Sequence, residues 1–297
     1  MAKKRSRFRN QLEDAGVRLA LWLFRRLSHE KAEAIGRRMG LVARALLPGR
    51  RRRAEENISR AFGELPPERV SSLARDVFAH FGGITADLLR TLDEPLDAIL
   101  SRVSVEGEEI ARAAVASGRG VFFLTAHLGN WELGALVTAT RGMPMTVIGR
   151  PLDNPLLEAR LRAFRERSGN TVQPKADAAR EILRTLRRGG TIGILTDQHA
   201  HPPDAVVVPF FGRPASTNSA VARFIDRTEA LVLPTFATRI GPARYRLAFG
   251  QPLDPRTLSL EERRPEALTA RLNAIVEGVI REYPEQWLWL HNRWRLD

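Results

Sequence analysis

The sequence predicts an α/β fold, a mainly parallel or mixed sheet flanked by helices, behind a helical and basic N-terminal segment. Three observations predict it. Short apolar runs such as VFFLTA (121–126) and TIGILT (191–196) read as buried strands. Amphipathic stretches separate them, and that alternation belongs to a layered sheet. The charge is also uneven. Of a formal net +13, residues 1–60 carry 17 Lys/Arg against 6 Asp/Glu, and the remainder is nearly neutral. With 297 residues the chain is near the limit for one core, so the expected division is an appendage over 1–60 and one α/β domain over 61–297.

The elements follow in order. Leu12, Leu19, Leu23 and Leu27 recur at helical spacing, widened by Val17, Trp22 and Phe24 and surrounded by Lys3, Lys4, Arg5, Arg7, Arg9, Arg18, Arg25 and Arg26. Such a helix either lies in the headgroup plane of a membrane or packs on its own domain. Arg50–Arg53 follow Pro48-Gly49, a pair that suggests a helix starting nearby. Cations oppose the positive end of a helix, so the run either meets an anionic partner or is a solvated face offset by Glu55 and Glu56. Helices are expected at 70–92 and 108–116, then strand 121–126, helix 133–140, strand 145–149 and helix 156–167. A weak strand at 171–173, helix 178–188, strand 191–196, helix 219–227 and strand 231–238 come next. An edge strand at 245–249 precedes a helix over 266–283 that Pro284 ends.

Composition removes several chemistries. With no cysteine there is no thiol nucleophile, disulfide or cysteine-held metal. No metal or cofactor is expected. The histidines are scattered apart from His199-x-His201 in a Pro-rich loop, and no phosphate-binding glycine loop occurs. The longest run free of Asp, Glu, Lys and Arg is 12 residues, Gly120–Trp131, too short to span a membrane. No secretory signal is present, which predicts a chain on the cytoplasmic side.

Active residues collect at the carboxyl ends of strands in such sheets. His127 follows the first strand and suits a general base at neutral pH. A carboxylate on its second ring nitrogen would fix its tautomer. Glu132 is the expected partner, with Gly129 allowing the bend this spacing needs and Asn130 capping the next helix. His199 with Asp204 has the same spacing and is the rival pair, disfavoured by Pro202-Pro203 and its loop position. Spacing alone also fits a structural His127. Arg150 follows the next strand and Asp197-Gln198 a later one.

HLGNWE after an apolar strand resembles the H-x4-D/E motif of glycerolipid acyltransferases, and the fuller match is to the lipid A biosynthesis (lauroyl/myristoyl) acyltransferases. The resemblance extends through Arg150-Pro151 with Asn154-Pro155, Thr196-Asp197-Gln198, Val208 to Gly212 with Pro214-Ala215 and Thr217, and the tail from Pro284 to Trp294. His199 stands where the family often has an acid, and the N-terminal apolar segment is shorter than in members with a spanning anchor. The resemblance implies acyl transfer from acyl carrier protein, a co-substrate, to a hydroxyl of a lipid A precursor. His127 would act as base, oriented by Glu132, without a covalent enzyme intermediate. It implies that Arg150 binds a phosphate or the developing oxyanion, that Asn130, Asp197, Gln198 and Thr217 shape the site or support it, and that Phe210 and Phe211 line an acyl groove or close the core. Trp287, Trp289 and Trp294 read mainly as packing aromatics. The implied partners are acyl carrier protein, an anionic lipid acceptor and the cytoplasmic leaflet of the bacterial inner membrane, where the protein would sit peripherally. Acylation of a phospholipid or glycosylated phosphatidylinositol is the nearest alternative. An inactive membrane scaffold is another, weakly opposed by the intact HLGNWE. A nucleic-acid binder is disfavoured because the basic residues flank an apolar stripe and no binding motif is present.

Overall fold

A computed structural model describes residues 6–175 and 178–296; Lys3, Lys4 and Arg5 of the basic stretch lie outside them. Four helices open the chain: α1 (Arg7–Phe24), α2 (His29–Leu46), α3 (Pro48–Ala61) and α4 (Pro67–Thr91). After the short α5 (Leu96–Leu100), strands and helices alternate. They are β1 (Val103–Glu106), α6 (Glu108–Ala116), β2 (Val121–Thr125), α7 (Trp131–Thr140), β3 (Thr146–Gly149), α8 (Pro155–Glu166), β4 (Thr171–Pro174), α9 (Ala178–Arg187) and β5 (Thr191–Leu195). A hairpin of β6 (Ala205–Phe210) and β7 (Arg213–Asn218) follows, then α10 (Ala220–Thr228), β8 (Leu231–Gly241), β9 (Arg244–Phe249) and α11 (Pro265–Glu282).

The sheet has seven strands in the order β1-β9-β8-β2-β5-β3-β4. Five run parallel, and β9 with β1 run against them. Both faces are covered, as parallel strands require. Along β2, Val121 and Phe123 pack with α6 and α7, while Phe122 and Leu124 pack with α9, α10 and α11. β9 is not the edge strand its sequence suggests, because β1 pairs outside it.

A third cluster closes the carboxyl end of the sheet. Ile58 of α3 and Phe78 of α4 meet Phe210, Phe211, Trp287, Trp289 and Trp294. The first helices are thereby joined to the body. α2 crosses α4 where Gly36, Gly40 and Gly82 bring the two backbones into contact. The start of α2 is also held by polar contacts: His29 Nδ1 lies 3.1 Å from Asp87 and Nε2 2.6 Å from Glu94, and Arg102 and Tyr245 bond to the same Asp87.

Candidate active site

β2 and β5 are neighbours in parallel register, ending at Thr125 opposite Leu195. The residues two positions beyond, His127 and Asp197, therefore emerge side by side. His127 Nδ1 is 2.9 Å from Asp197 Oδ1. Asp197 Oδ2 accepts from the His127 backbone N–H at 3.0 Å and from the Trp287 indole N–H at 2.8 Å. Asp197 is 2% exposed, so its charge depends on these partners. Burial alone would raise its pKa, but His127 and the three donated hydrogen bonds bring it down to about 2. A carboxylate can only accept, so the imidazole proton sits on Nδ1 and the Nε2 lone pair is left for chemistry. Burial pulls the His127 pKa down, but Asp197, with Glu132 assisting, outweighs it and raises it above the ordinary value.

The loop that places His127 is built as the sequence suggests. Gly129 is left-handed at φ +60°, and a side chain there would run into the Ala237 carbonyl. Asn130 caps α7, its Oδ1 accepting from Leu133 N–H at 3.2 Å. That cap is the role the structure gives this buried residue.

Glu132 lies elsewhere than expected. It does not take the ring nitrogen; Asp197 does. Glu132 opens α7 and faces Arg165 of α8 in a two-pronged pair, Nε to Oε2 at 2.8 Å and Nη2 to Oε1 at 2.5 Å. A regular helix start turns its side chain away from His127, toward α8. Arg165 is a site residue the sequence reading missed, since an arginine on an amphipathic helix looks like a solvated one.

His127, Glu132, Arg165 and Gln198 border one cavity of about 570 Å³. Its walls are largely apolar, with Phe123, Met145, Val147, Gly193, Val221 and Phe224 among them. Gln198 Nε2 stands 3.3 Å from His127 Nε2. Arg150 sits at the rim, its side chain 81% exposed and 3.1 Å from Asp153. Phe210 and Phe211 are not among the lining residues; they stack in the aromatic cluster, Phe210 at 5.5 Å from Trp287 and Phe211 at 5.4 Å from Phe62. Thr217 is buried as well, accepting from Arg293 at 2.7 Å. Both assignments to the substrate thus become packing positions, because the β6–β7 hairpin folds its apolar face onto the C-terminal tail. The rival pair lines the same cavity, but Asp204 faces Arg223 at 3.7 Å and the His199 ring meets His201 edge-on at 4.5 Å. Among the described residues no three His, Asp or Glu converge as metal ligands.

What the arrangement can do is remove a proton beside an apolar chamber that a partly buried guanidinium, Arg165, also lines. Comparisons with known proteins give the family. The family model described as bacterial lipid A biosynthesis acyltransferase matches residues 3–296. Three relatives from Escherichia coli (strain K12) are each 26% identical. The lipid A biosynthesis myristoyltransferase aligns over 85% of this chain and 77% of its own, the palmitoleoyltransferase over 93% and 88%, and the lauroyltransferase over 93% and 89%.

Proposed function

The chain belongs to the bacterial lipid A biosynthesis acyltransferase family, and from that premise we propose that it moves a fatty acyl group from acyl carrier protein to a hydroxyl of a lipid A precursor. The observation that carries the chemistry is the His127–Asp197 dyad, its acid buried and its imidazole reaching an apolar cavity.

In this reading the acceptor hydroxyl displaces Gln198 from the Nε2 lone pair of His127. Nε2 takes the hydroxyl proton as the oxygen attacks the thioester carbonyl, and Asp197 stabilises the imidazolium. The tetrahedral oxyanion forms near Arg165, whose guanidinium is held by Glu132 on one edge. Collapse expels the carrier thiolate, which recovers the proton from His127. The ester and a free carrier thiol are the products, and no acyl-enzyme forms. The acyl tail occupies the apolar cavity, and Arg150 at its rim meets the anionic carrier or a phosphate of the acceptor.

The basic segment 1–60 is assigned to the cytoplasmic face of the inner membrane. Phe8, Leu12, Leu19, Trp22 and Leu23 of α1 are exposed, and Arg25 and Arg26 flank them. No helix among the described residues is long and apolar enough to cross a membrane.

The test is transfer of a labelled acyl group from acyl carrier protein to a purified lipid A precursor, read by mass spectrometry. A mass gain of one acyl chain, absent with His127→Ala, is the expected result. Transfer only to a phospholipid or a mannosylated phosphatidylinositol would replace the acceptor. No transfer to any of these, with tight salt-sensitive DNA binding, would end the reading.

A further inference from the structure

The C-terminal tail touches both members of the dyad through two adjacent residues. The backbone of Trp287 bridges Leu128 in antiparallel fashion, and the adjacent Leu288 N–H donates to the His127 carbonyl at 3.0 Å. The side chain of the same Trp287 donates its indole N–H to Asp197 at 2.8 Å. Four residues on, His291 Nε2 accepts from the backbone N–H of His199 at 2.9 Å, two positions beyond Asp197. Burial holds the His291 pKa down at about 4, so at neutral pH the ring is uncharged and keeps an accepting nitrogen. The tail is itself anchored: buried Asn57 of α3 donates to the carbonyls of Trp289 and His291 at 2.7 and 2.6 Å.

An indole at 1% exposure has a strong need for a partner for its N–H. Packing alone would be met by a backbone carbonyl, as Trp289 does with Pro284 and Trp294 with Phe210. Trp287 instead spends its donor on the carboxylate that faces the imidazole. A carboxyl group pivots about its bond to Cβ. With Oδ2 held by the indole and by the His127 backbone, Oδ1 has one place to point, and that place is Nδ1.

We propose that Trp287 is a positioning residue of the reaction: it locks the Asp197 carboxylate, while the backbone bonds on either side of it, Leu288 N–H to the His127 carbonyl and Gly129 N–H to the Gln286 carbonyl, keep His127 in register with it. The proposal rests on His127 as the base. It adds that the aromatic tail sets the geometry and the basicity of that base.

The experiment is the pH dependence of kcat and KM for acyl transfer in the full chain carrying Trp287→Phe, beside His127→Ala. Phe keeps the ring but deletes the donor. kcat is expected to fall on the order of tenfold, with KM for the acyl carrier protein substrate unchanged. The acid limb should move to higher pH, because a carboxylate relieved of one donor attracts the imidazolium more strongly. If Trp287→Phe fails to fold, replacement of Trp287 by 3-benzothienylalanine, which has the indole shape without the N–H, decides the matter by the same readouts. An unmoved limb, whether the rate holds or falls with the thermal midpoint, reduces Trp287 to packing and overturns the proposal while an inactive His127→Ala preserves the reading beneath it. Activity in His127→Ala removes both.

Discussion

Asp197 shows how a residue's role depends on what lies across the sheet from it. Its carboxylate is depressed to about 2 and the imidazole of His127 is raised, so the pair is most strongly coupled between those limits. On the proposed mechanism His127 works only when neutral, so the acid limb of kcat/KM is expected above about 6.5. Asp197→Asn should move that limb downward and reduce kcat on the order of a hundredfold or more. Glu132→Gln should also slow the reaction but shift the limb less, since its effect on His127 is the smaller one. A larger limb shift for Glu132→Gln than for Asp197→Asn would return the orienting role to Glu132. Stability follows the same linkage. The raised His127 pKa contributes stability below the ordinary imidazole value that is lost as pH rises through the folded one, while the depressed Asp197 contributes above 3.8 and is lost as pH falls toward about 2. Gly129 is the other sensitive residue. Gly129→Ala combines a left-handed backbone with overlap on Ala237, and should cost about 2–4 kcal/mol in chemical denaturation. A loss under about 0.5 kcal/mol would mean the loop relaxes freely.

At the scale of elements, local signals were readable and neighbour relations were not. The apolar strand before His127, the bend at Gly129 and the cap at Asn130 are written in adjacent residues, and they stand where the sequence puts them. That β2 lies against β5 is not written there, and this adjacency alone brings Asp197, 70 positions away, to the imidazole. Arg165 was hidden for the same reason: α8 meets α7 only in the folded chain. Phe210 and Phe211 were ambiguous between groove and core because an apolar pair fits either. The crossing of α2 on α4 is not written in adjacent residues either, because glycines within a helix name no partner. They are contact points here. Gly40→Leu would push its side chain into the backbone at Phe78, and Gly36→Leu would press on Gly82 and Ala86. Each should lower stability by about 1–3 kcal/mol and loosen α2 from the body, seen as faster proteolysis before α4. An unchanged midpoint for both would show that the two helices separate without consequence.

For the whole molecule, the charge asymmetry and the exposed apolar residues fall in the same region. Of the four opening helices, α1 presents Phe8, Leu12, Leu19, Trp22 and Leu23, and α2 presents Ile35, Met39, Val42 and Leu46, while the acyltransferase body is close to neutral. Interfacial attachment of this kind adds apolar burial to attraction for anionic lipid. Leu19→Glu with Trp22→Glu should reduce co-sedimentation with vesicles containing phosphatidylglycerol by on the order of tenfold, with transfer to a detergent-dispersed acceptor retained. Equal sedimentation of the double variant and the parent would separate the basic end from the membrane.

The order of strands also bears on how activity arises in time. β2 and β5 are separated by β3, β4 and three helices in the chain, and the tail that secures them comes after every strand. No fragment made of neighbouring elements contains the base, its acid and the indole together. Parallel pairings of this range form late, after the entropy of closing long loops has been overcome. Proton-abstracting power is therefore a property of the finished topology. On the proposed mechanism, a partly folded chain exposes its apolar helix faces before it has a base to work with.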